Sequence, residues 1–458
     1  MSDFLDRPNA LFAARPEPLR VQRRFLALLF LTRADCGRSQ TSDAGRIRRI
    51  PMTRLILLLA LLTSTACATL GEGDPARDLH FDSIVVDGHS DTTPRFARSD
   101  WDFAERHDDT DGDMDLPRIR EGGLDVQFWS VYTGKLAAPG DGLRIALERI
   151  DAVHEMARRN PEDVVVAYSV AELREAVDDG RFVSLMGIEG GHIIEENLAA
   201  LRLFHRLGVR YLTLTHSFNT TWADSSGTTS IPEPTHDGLT DFGRDVVLEM
   251  NRLGMLVDIS HVSDATFFDA VETSRAPVIA SHSSVRAVAD HTRNMSDEML
   301  RALAANGGVV MINFYPAYID EETTRATTAW FKEHGPTLME RRKALAEDPQ
   351  RLAEERAAFF EANPVPVCDL DVLLDHFDHA IEIAGPDHVG IGADWDGVIS
   401  MPAGMEDVTR LPDLTAGLLA RGHSRKTVRK VLGENVLRTL EEAERVAAEI
   451  ASESAAAP

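Results

Sequence analysis

At 458 residues, 43% of them hydrophobic, the chain can bury a large core, which excludes a disordered protein and leaves room for one barrel-sized domain with extensions or for two domains. The formal net charge is −26, and the first 54 residues carry eleven Arg against five acids, so the remainder is more acidic still and excludes a nucleic-acid backbone as partner. Three cysteines, Cys36, Cys67 and Cys368, are too few for a disulfide framework.

Residues 1–51 mix Arg, Pro and short apolar pieces without a sustained period, and read as an extension upstream of a true start at Met52. Met52-Thr53-Arg54, an apolar run over 55–62 and small residues up to Ala66-Cys67-Ala68 have the layout of an export signal over 52–68. The run is shorter than the roughly 20 apolar residues of a membrane span. Ser64-Thr65-Ala66-Cys67 is similar to a lipobox, with Ser64 where Leu is usual, and Ala66-Cys67-Ala68 equally suits an ordinary signal peptidase. Export to the periplasm is expected, either free or lipid-anchored to the cell envelope at Cys67. Residues 69–80 read as a linker, 81–445 as the body, and 446–458 as a small-residue tail that frays.

Within the body, apolar runs at 83–87, 125–132, 182–188, 209–215, 255–259, 277–281, 308–313 and 388–392 predict strands. Helical periodicity predicts helices over 143–159, 198–207, 242–253, 264–273, 297–306 and 370–384. Eight strands alternating with helices predict an α/β fold, a (β/α)8 TIM barrel, with a doubly wound sheet as the alternative. Two stretches break the alternation. A polar loop over 217–238 follows the fourth strand, and a charged helical insertion over 319–366 follows the seventh, as a substrate wall or a solvated hairpin.

The predicted strand ends carry the chemistry. In Val86-Asp87-Gly88-His89-Ser90-Asp91, the glycine breaks the strand, and His89 and Asp91, two apart in extended chain, point the same way. A ring nitrogen beside a carboxylate suits a divalent metal. The third strand ends in Glu189, the fourth in His216, the fifth in His261, the sixth in His282 and the eighth in Asp394. Singly, each is an ordinary capping or core residue. Seven such side chains on the face where barrel strand ends converge point instead to a metal-dependent hydrolase. Two divalent ions about 3.5–4 Å apart need a shared anion, and Glu189 is the natural bridge. His89 with Asp91 would complete one ion and His261 with His282 the other. A water between them would ionise near neutral pH and attack, with Asp394 taking and returning its proton. His376, His379 and Glu382 form a His-x-x-His-x-x-Glu triplet on a predicted helix away from any strand end, and are read as structural.

Val86-Asp87-Gly88-His89-Ser90-Asp91-Thr92, Glu189-Gly190-Gly191-His192, Tyr211-Leu212-Thr213-Leu214-Thr215-His216, Asn219, Trp222-Ala223-Asp224, Asp258-Ile259-Ser260-His261, Ser281-His282-Ser283, Arg293-Asn294 and Asp394-Trp395-Asp396-Gly397 occur in this order. Together they resemble the membrane (renal) dipeptidase family, the zinc metallopeptidases of family M19, over about 81–440. The resemblance implies a barrel of the metal-dependent hydrolase type with two zinc ions on His89, Asp91, Glu189, His261 and His282. It implies that His216 polarises the scissile carbonyl and stabilises the oxyanion, that Arg293 pairs with the free carboxylate of a dipeptide, and that Asp394 carries the proton to the leaving amine. The implied partners are small dipeptides, L,L and L,D; a homodimer is compatible with it, as is activity on β-lactam rings. The charged insertion is a point of divergence that bears on pocket depth.

Two other readings compete. A binuclear amidohydrolase acting on cyclic amides, lactones or phosphoesters commonly begins with His-x-His and bridges its metals with a modified Lys; here the first pair is His-x-Asp, and no Lys lies near the third to sixth strands. A non-catalytic exported binding protein would have lost a ligand or Asp394, and none is lost. Serine-hydrolase and nucleotide chemistries are excluded by the lack of Gly-x-Ser-x-Gly and Gly-Lys-Ser/Thr motifs.

Overall fold

The computed structural model describes residues 74–108, 111–134, 140–228, 231–345 and 348–456. The expected extension over 1–51 and the export signal over 52–68, with Cys67, lie outside them. No helix among the described residues is long and apolar enough to cross a membrane.

Short runs rich in Val, Ile and Leu form nine parallel strands: β1 (Val86–Ser90), β2 (Val126–Tyr132), β3 (Val164–Val166), β4 (Phe182–Glu189), β5 (Val209–Thr213), β6 (Leu256–Asp258), β7 (Val278–Ala280), β8 (Val309–Ile312) and β9 (Val389–Ile391). Hydrogen bonding runs in the order β2-β1-β9-β8-β7-β6-β5-β4, and β4 pairs back with β2 from Val126↔Val183 to Tyr132↔Glu189. The ring closes as an eight-stranded (β/α)8 barrel. The eight expected strands are β1, β2 and β4–β9. The unexpected β3 is a three-residue strand that pairs with Phe182–Ser184 at the foot of β4, while β5 pairs with Met186–Glu189 above it.

A parallel strand must be followed by a crossover, and the sequence starts four of the helices between strands with a hydroxyl cap. Ser169 accepts from Glu172 N–H, Thr240 from Gly243, Ser263 from Thr266 and Ser296 from Met299. The strands' outward faces and the surrounding helices share one apolar cluster that includes Trp129, Phe204, Phe267 and Phe377. A second cluster joins Val86, Phe128, Leu185, Tyr211, Ile279 and Met311 of the strands to Val436, Leu437 and Leu440 of the last helix, Asn435–Ala456.

Two expectations at the ends of the body are corrected. The segment read as a linker up to residue 80 holds the helix Pro75–Phe81, started by Asp74 accepting from Ala76 N–H, with Leu79 and His80 fully buried. The tail expected to fray from 446 is the end of the helix Asn435–Ala456. Val446 is buried, Ile450 packs on the same cluster, and Glu453 pairs with Arg275 at 2.8 Å, so the apolar stripe through Val436, Leu440 and Ala443 simply continues.

The insertion is a hairpin of helices Glu321–Ala344 and Pro349–Ala362. It has its own small aromatic core: Trp330 stacks on Phe360 with ring centroids 5.7 Å apart and meets Phe359 edge-on. It is therefore more than a solvated hairpin.

Candidate metal centre

The strand ends bring together side chains that are far apart in sequence. His89 leaves the end of β1 and Glu189 the end of β4, and His261, His282 and Asp394 follow β6, β7 and β9. His261 and Asp394 hold positive φ, 67° and 69°, rare for residues with a Cβ and concentrated where backbone is bent to aim a side chain.

Glu189 lies at the centre, and its two oxygens face different partners. Oε2 is 3.6 Å from His89 Nε2 and accepts from Ser130 Oγ at 3.0 Å. Oε1 is 3.1 Å from His261 Nε2, 3.5 Å from His216 Nε2 and 3.6 Å from His282 Nε2. On the first side, His89 Nε2 is also 3.4 Å from Asp91 Oδ2 and 4.0 Å from Asp394 Oδ1. On the second, His261 Nε2 and His282 Nε2 stand 2.9 Å apart.

The outer ring nitrogens fix which way the lone pairs point. Tyr211 Oη donates to Gly88 O at 3.2 Å, so at 2.9 Å it accepts from His89 Nδ1–H. Ser281 Oγ donates to Asp258 Oδ2 at 2.7 Å, so at 2.8 Å it accepts from His282 Nδ1–H. His282 then turns a bare Nε2 lone pair toward the Glu189 carboxylate, and His89 turns its Nε2 the same way, the outer-sphere arrangement that orients histidines for a metal. Asp258 is held in turn by Thr213 Oγ1 at 2.5 Å and by the N–H groups of Ser260 and Ser281.

Room for Tyr211 comes from Gly187, its register partner across β4 and β5. A Cβ there would lie 1.9 Å from the phenol ring. This is the physical reason for glycine in the interior of a strand.

Burial sets the protonation states. It pushes His261 and His282 well below the ordinary imidazole range, leaving them neutral. Burial opposes charge on His89 too, but the phenol of Tyr211 and the carboxylates of Glu189 and Asp91 outweigh it and hold His89 well above its usual value. Burial pushes Asp394 up to about 7, against the pull of His89, with Asp91 and Glu189 adding to the rise. Asn313 Nδ2 donates to Asp394 Oδ2 at 3.0 Å and leaves Oδ1 toward His89.

These residues fit a divalent metal. His89 Nε2 is buried without a hydrogen bond among the described residues, and three groups of ligand atoms each lie within 4.8 Å: His89, Glu189 and His282; Glu189, His216 and His261; His89, Asp91 and Asp394. Imidazole nitrogens and carboxylate oxygens converging on one buried point make a good cation cradle.

Beside the cluster, Arg293 is buried. Its Nη2 donates to His282 O at 3.1 Å, its Nη1 is 3.4 Å from Ser283 Oγ, its Nε finds no acceptor among the described residues, and the ring of Tyr318 lies 5.7 Å away. On the other side, the ring of Tyr132, at the end of β2, packs against His216 at 4.7 Å. The polar loop after β5 is tied by Asp224, whose carboxylate accepts the N–H groups of Thr235, His236 and Gly238 at 2.8–3.2 Å.

The site residues named from sequence thus stand around one carboxylate, and His376 and His379 stand elsewhere. His376 accepts from Val285 N–H at 3.0 Å through Nδ1 and reaches Ile319 O at 2.8 Å through Nε2. Sequence reading gave no part to Tyr132, Ser130, Asn313 or Tyr318, nor a role to Tyr211, Ser281 and Asp258 inside the quoted motifs. Gly187 was the available sign for Tyr211.

The model of the membrane dipeptidase family, peptidase family M19, matches residues 74–454. Dipeptidase aclJ of Aspergillus oryzae is 37% identical over 353 residues, 75% of this chain and 73% of the fungal protein. Among solved structures, the probable dipeptidase PvdM of Pseudomonas aeruginosa superposes with a TM-score of 0.69 at 25% identity, covering 81% of this chain and 98% of that one. A metallopeptidase of Rhodobacter sphaeroides, solved with a phosphinate mimic of the dipeptide L-Ala-D-Ala, gives a TM-score of 0.62 at 29% identity, covering 79% and 100%. With the family model spanning nearly all of the described barrel, this chain belongs to the membrane dipeptidase family, M19, and is a metallodipeptidase.

Proposed function

We propose that the protein, loaded with two zinc ions, hydrolyses the single peptide bond of dipeptides with either an L or a D residue at the C-terminal position. The observation that carries the dipeptide reading is Arg293, a buried guanidinium beside the Glu189 cluster with no carboxylate in ion-pair contact among the described residues. A cation left this way is costly until an anion joins it. A dipeptide brings its free carboxylate one residue from the scissile carbonyl; a longer chain does not. Tolerance of a D residue is supported by the relative solved with the L-Ala-D-Ala mimic.

His89, Asp91, Glu189, His261 and His282 would hold the ions, and the nitrogen-and-carboxylate donor set favours zinc. Bound there, the ions would polarise a carbonyl and lower the pKa of water. The chain's own residues do the rest. Arg293 orients the substrate through its carboxylate, with Tyr318 backing the guanidinium. His216, steadied by Ser217 Oγ 3.0 Å from Nδ1 and by the Tyr132 ring, presents Nε2 to the oxygen that gains charge. Asp394, held by Asn313, takes a proton on its open oxygen and delivers it to the leaving amine.

The test is release of free amino acids from a panel of L,L- and L,D-dipeptides, as prepared, after chelation, and with zinc added back. Turnover that vanishes with the metal and returns with zinc is expected; a two-metal protein inert on the whole panel overturns the reading. Export is part of the same proposal, supported by the signal-like stretch over 52–68. Sequencing the mature N-terminus should give a start near Cys67 or just after it, and a start within residues 1–51 refutes export by this signal.

A further inference from the structure

Three of the imidazoles around Glu189 are not held alike. His89 and His282 are fixed through their rings, each giving Nδ1 to a hydroxyl. His261 Nδ1 is buried and finds no partner among the described residues, so no hydrogen bond on its outer nitrogen fixes how Nε2 meets Glu189.

What is held instead is the backbone. His261 has a φ of 67°, a conformation that a residue with a Cβ keeps only when its surroundings impose it. Its carbonyl meets three donors: Thr215 Oγ1 at 2.9 Å, the Ser226 N–H at 2.8 Å and Ser225 Oγ at 3.2 Å. Thr215, Ser225 and Ser226 are all buried.

Ser225 reaches further. Its hydroxyl also bonds His216 O, and its N–H donates to Asn219 Oδ1 at 2.9 Å, so the loop closes back on its own start. Ser225 pairs with Val262 as an antiparallel bridge, and the Ser263 N–H and Thr266 Oγ1 both donate to Asp224 O at 2.9 Å. The polar loop over 217–238 is thereby stitched to the turn that carries His261 and to the backbone of His216.

We propose that Thr215 and Ser225 are positioning residues for metal binding: they fix His261 by its carbonyl, as Tyr211 and Ser281 fix His89 and His282 by their rings, and Ser225 ties His216 to the same clamp. The loop after β5 then serves as an outer-sphere support for one of the two ions, the one that His261 holds. This rests on the two-zinc dipeptidase reading above. A backbone released from the left-handed region swings its Cβ, and the imidazole with it, away from Glu189.

The experiment strips zinc from the loaded full chain with a chromophoric chelator, reading the two equivalents separately. In Thr215→Val, which keeps the shape and loses the hydroxyl, one equivalent should bind about tenfold more weakly and the other as in the wild type. Thr215→Ser, which returns the hydroxyl, should restore the affinity. Ser225→Ala should weaken the same single equivalent and, at saturating zinc, lower kcat on Ala-Ala by about tenfold with KM kept, because it also frees His216. Wild-type affinity for both equivalents in a protein carrying Thr215→Val and Ser225→Ala overturns the clamp. So does equal weakening of both equivalents, or a loss in Thr215→Val that Thr215→Ser does not reverse, since either makes these residues general struts of the fold. A normal kcat in Ser225→Ala overturns the tie to His216. A wild type that holds fewer than two zinc ions overturns the two-zinc reading, and the clamp with it. A two-zinc wild type inert on every dipeptide overturns the dipeptidase reading alone, and the titration still decides the clamp.

Discussion

At the mouth of the barrel, His89 and His282 each give Nδ1 to a hydroxyl and turn Nε2 toward the Glu189 carboxylate. In the outer layer, His80 and His376 are equally buried but have both nitrogens engaged. His80 bridges Thr415 Oγ1 and Gly122 O, each at 2.7 Å, and His376 bridges Val285 N and Ile319 O. The two regions use one residue type in opposite ways: His80 and His376 spend both nitrogens on the fold, while His89 and His282 spend one and leave the other facing Glu189. The His-x-x-His-x-x-Glu spacing carries no metal meaning, because both nitrogens of His376 are spent and His379 Nε2 is bound to Asp297.

The comparison is broken most severely at its centre. Glu189→Gln removes the charge that both sides share, and dipeptide turnover should fall roughly a thousandfold or more, with less than one metal retained per chain by elemental analysis. Retention of two metals with near-normal rates would mean that the ions do not depend on this carboxylate.

Arg293→Ala should raise KM by about a hundredfold, the scale of losing a buried charge pair, with metal content intact. An unchanged KM for dipeptides would remove Arg293 from substrate binding.

Tyr211→Phe deletes the hydroxyl that fixes His89 while keeping the ring. Metal affinity should drop by about ten- to a hundredfold in a competition titration, with the fold unchanged by circular dichroism. Wild-type affinity in that variant would show that packing alone orients His89.

The strut side is tested by pH. Burial pushes His376 down to about 4, from an ordinary value of 6.5. Between these values the unfolded chain binds a proton that the folded chain refuses, so stability is lost as pH falls from about 6.5 toward 4. His376→Gln removes this loss. Between pH 7 and pH 5 the wild type should lose about 2 kcal/mol more than the variant by urea unfolding of the metal-free proteins. Parallel pH curves would mean that His376 protonates in the folded state.

The fold and the gathering of His89, Asp91, Glu189, His216, His261, His282 and Asp394 were legible because each stands at the end of an apolar run, and strand ends are where a barrel gathers its side chains. What stayed hidden lies within the runs. Tyr211 reads as one more large residue in β5, and its function depends on Gly187 standing beside it in register, which sequence shows only once the pairing is known. Ser281 and Asp258 read as strand-end polar residues until their bond orders the imidazole of His282. β3 was missed because three valines pairing below β5 leave the alternation of the barrel undisturbed.

Glu189 hangs from β4, an eight-residue strand buried throughout and paired on one edge to β2 and on the other to β3 and β5. In hydrogen-exchange terms, its amides should open only with the whole barrel. Stripping the metal then leaves the carboxylate where it was, unlike small metal domains that unfold without their ion. Loading becomes a docking step onto a standing site, its rate set by passage through the mouth rather than by refolding, and β4 should exchange equally slowly in the apo and holo proteins.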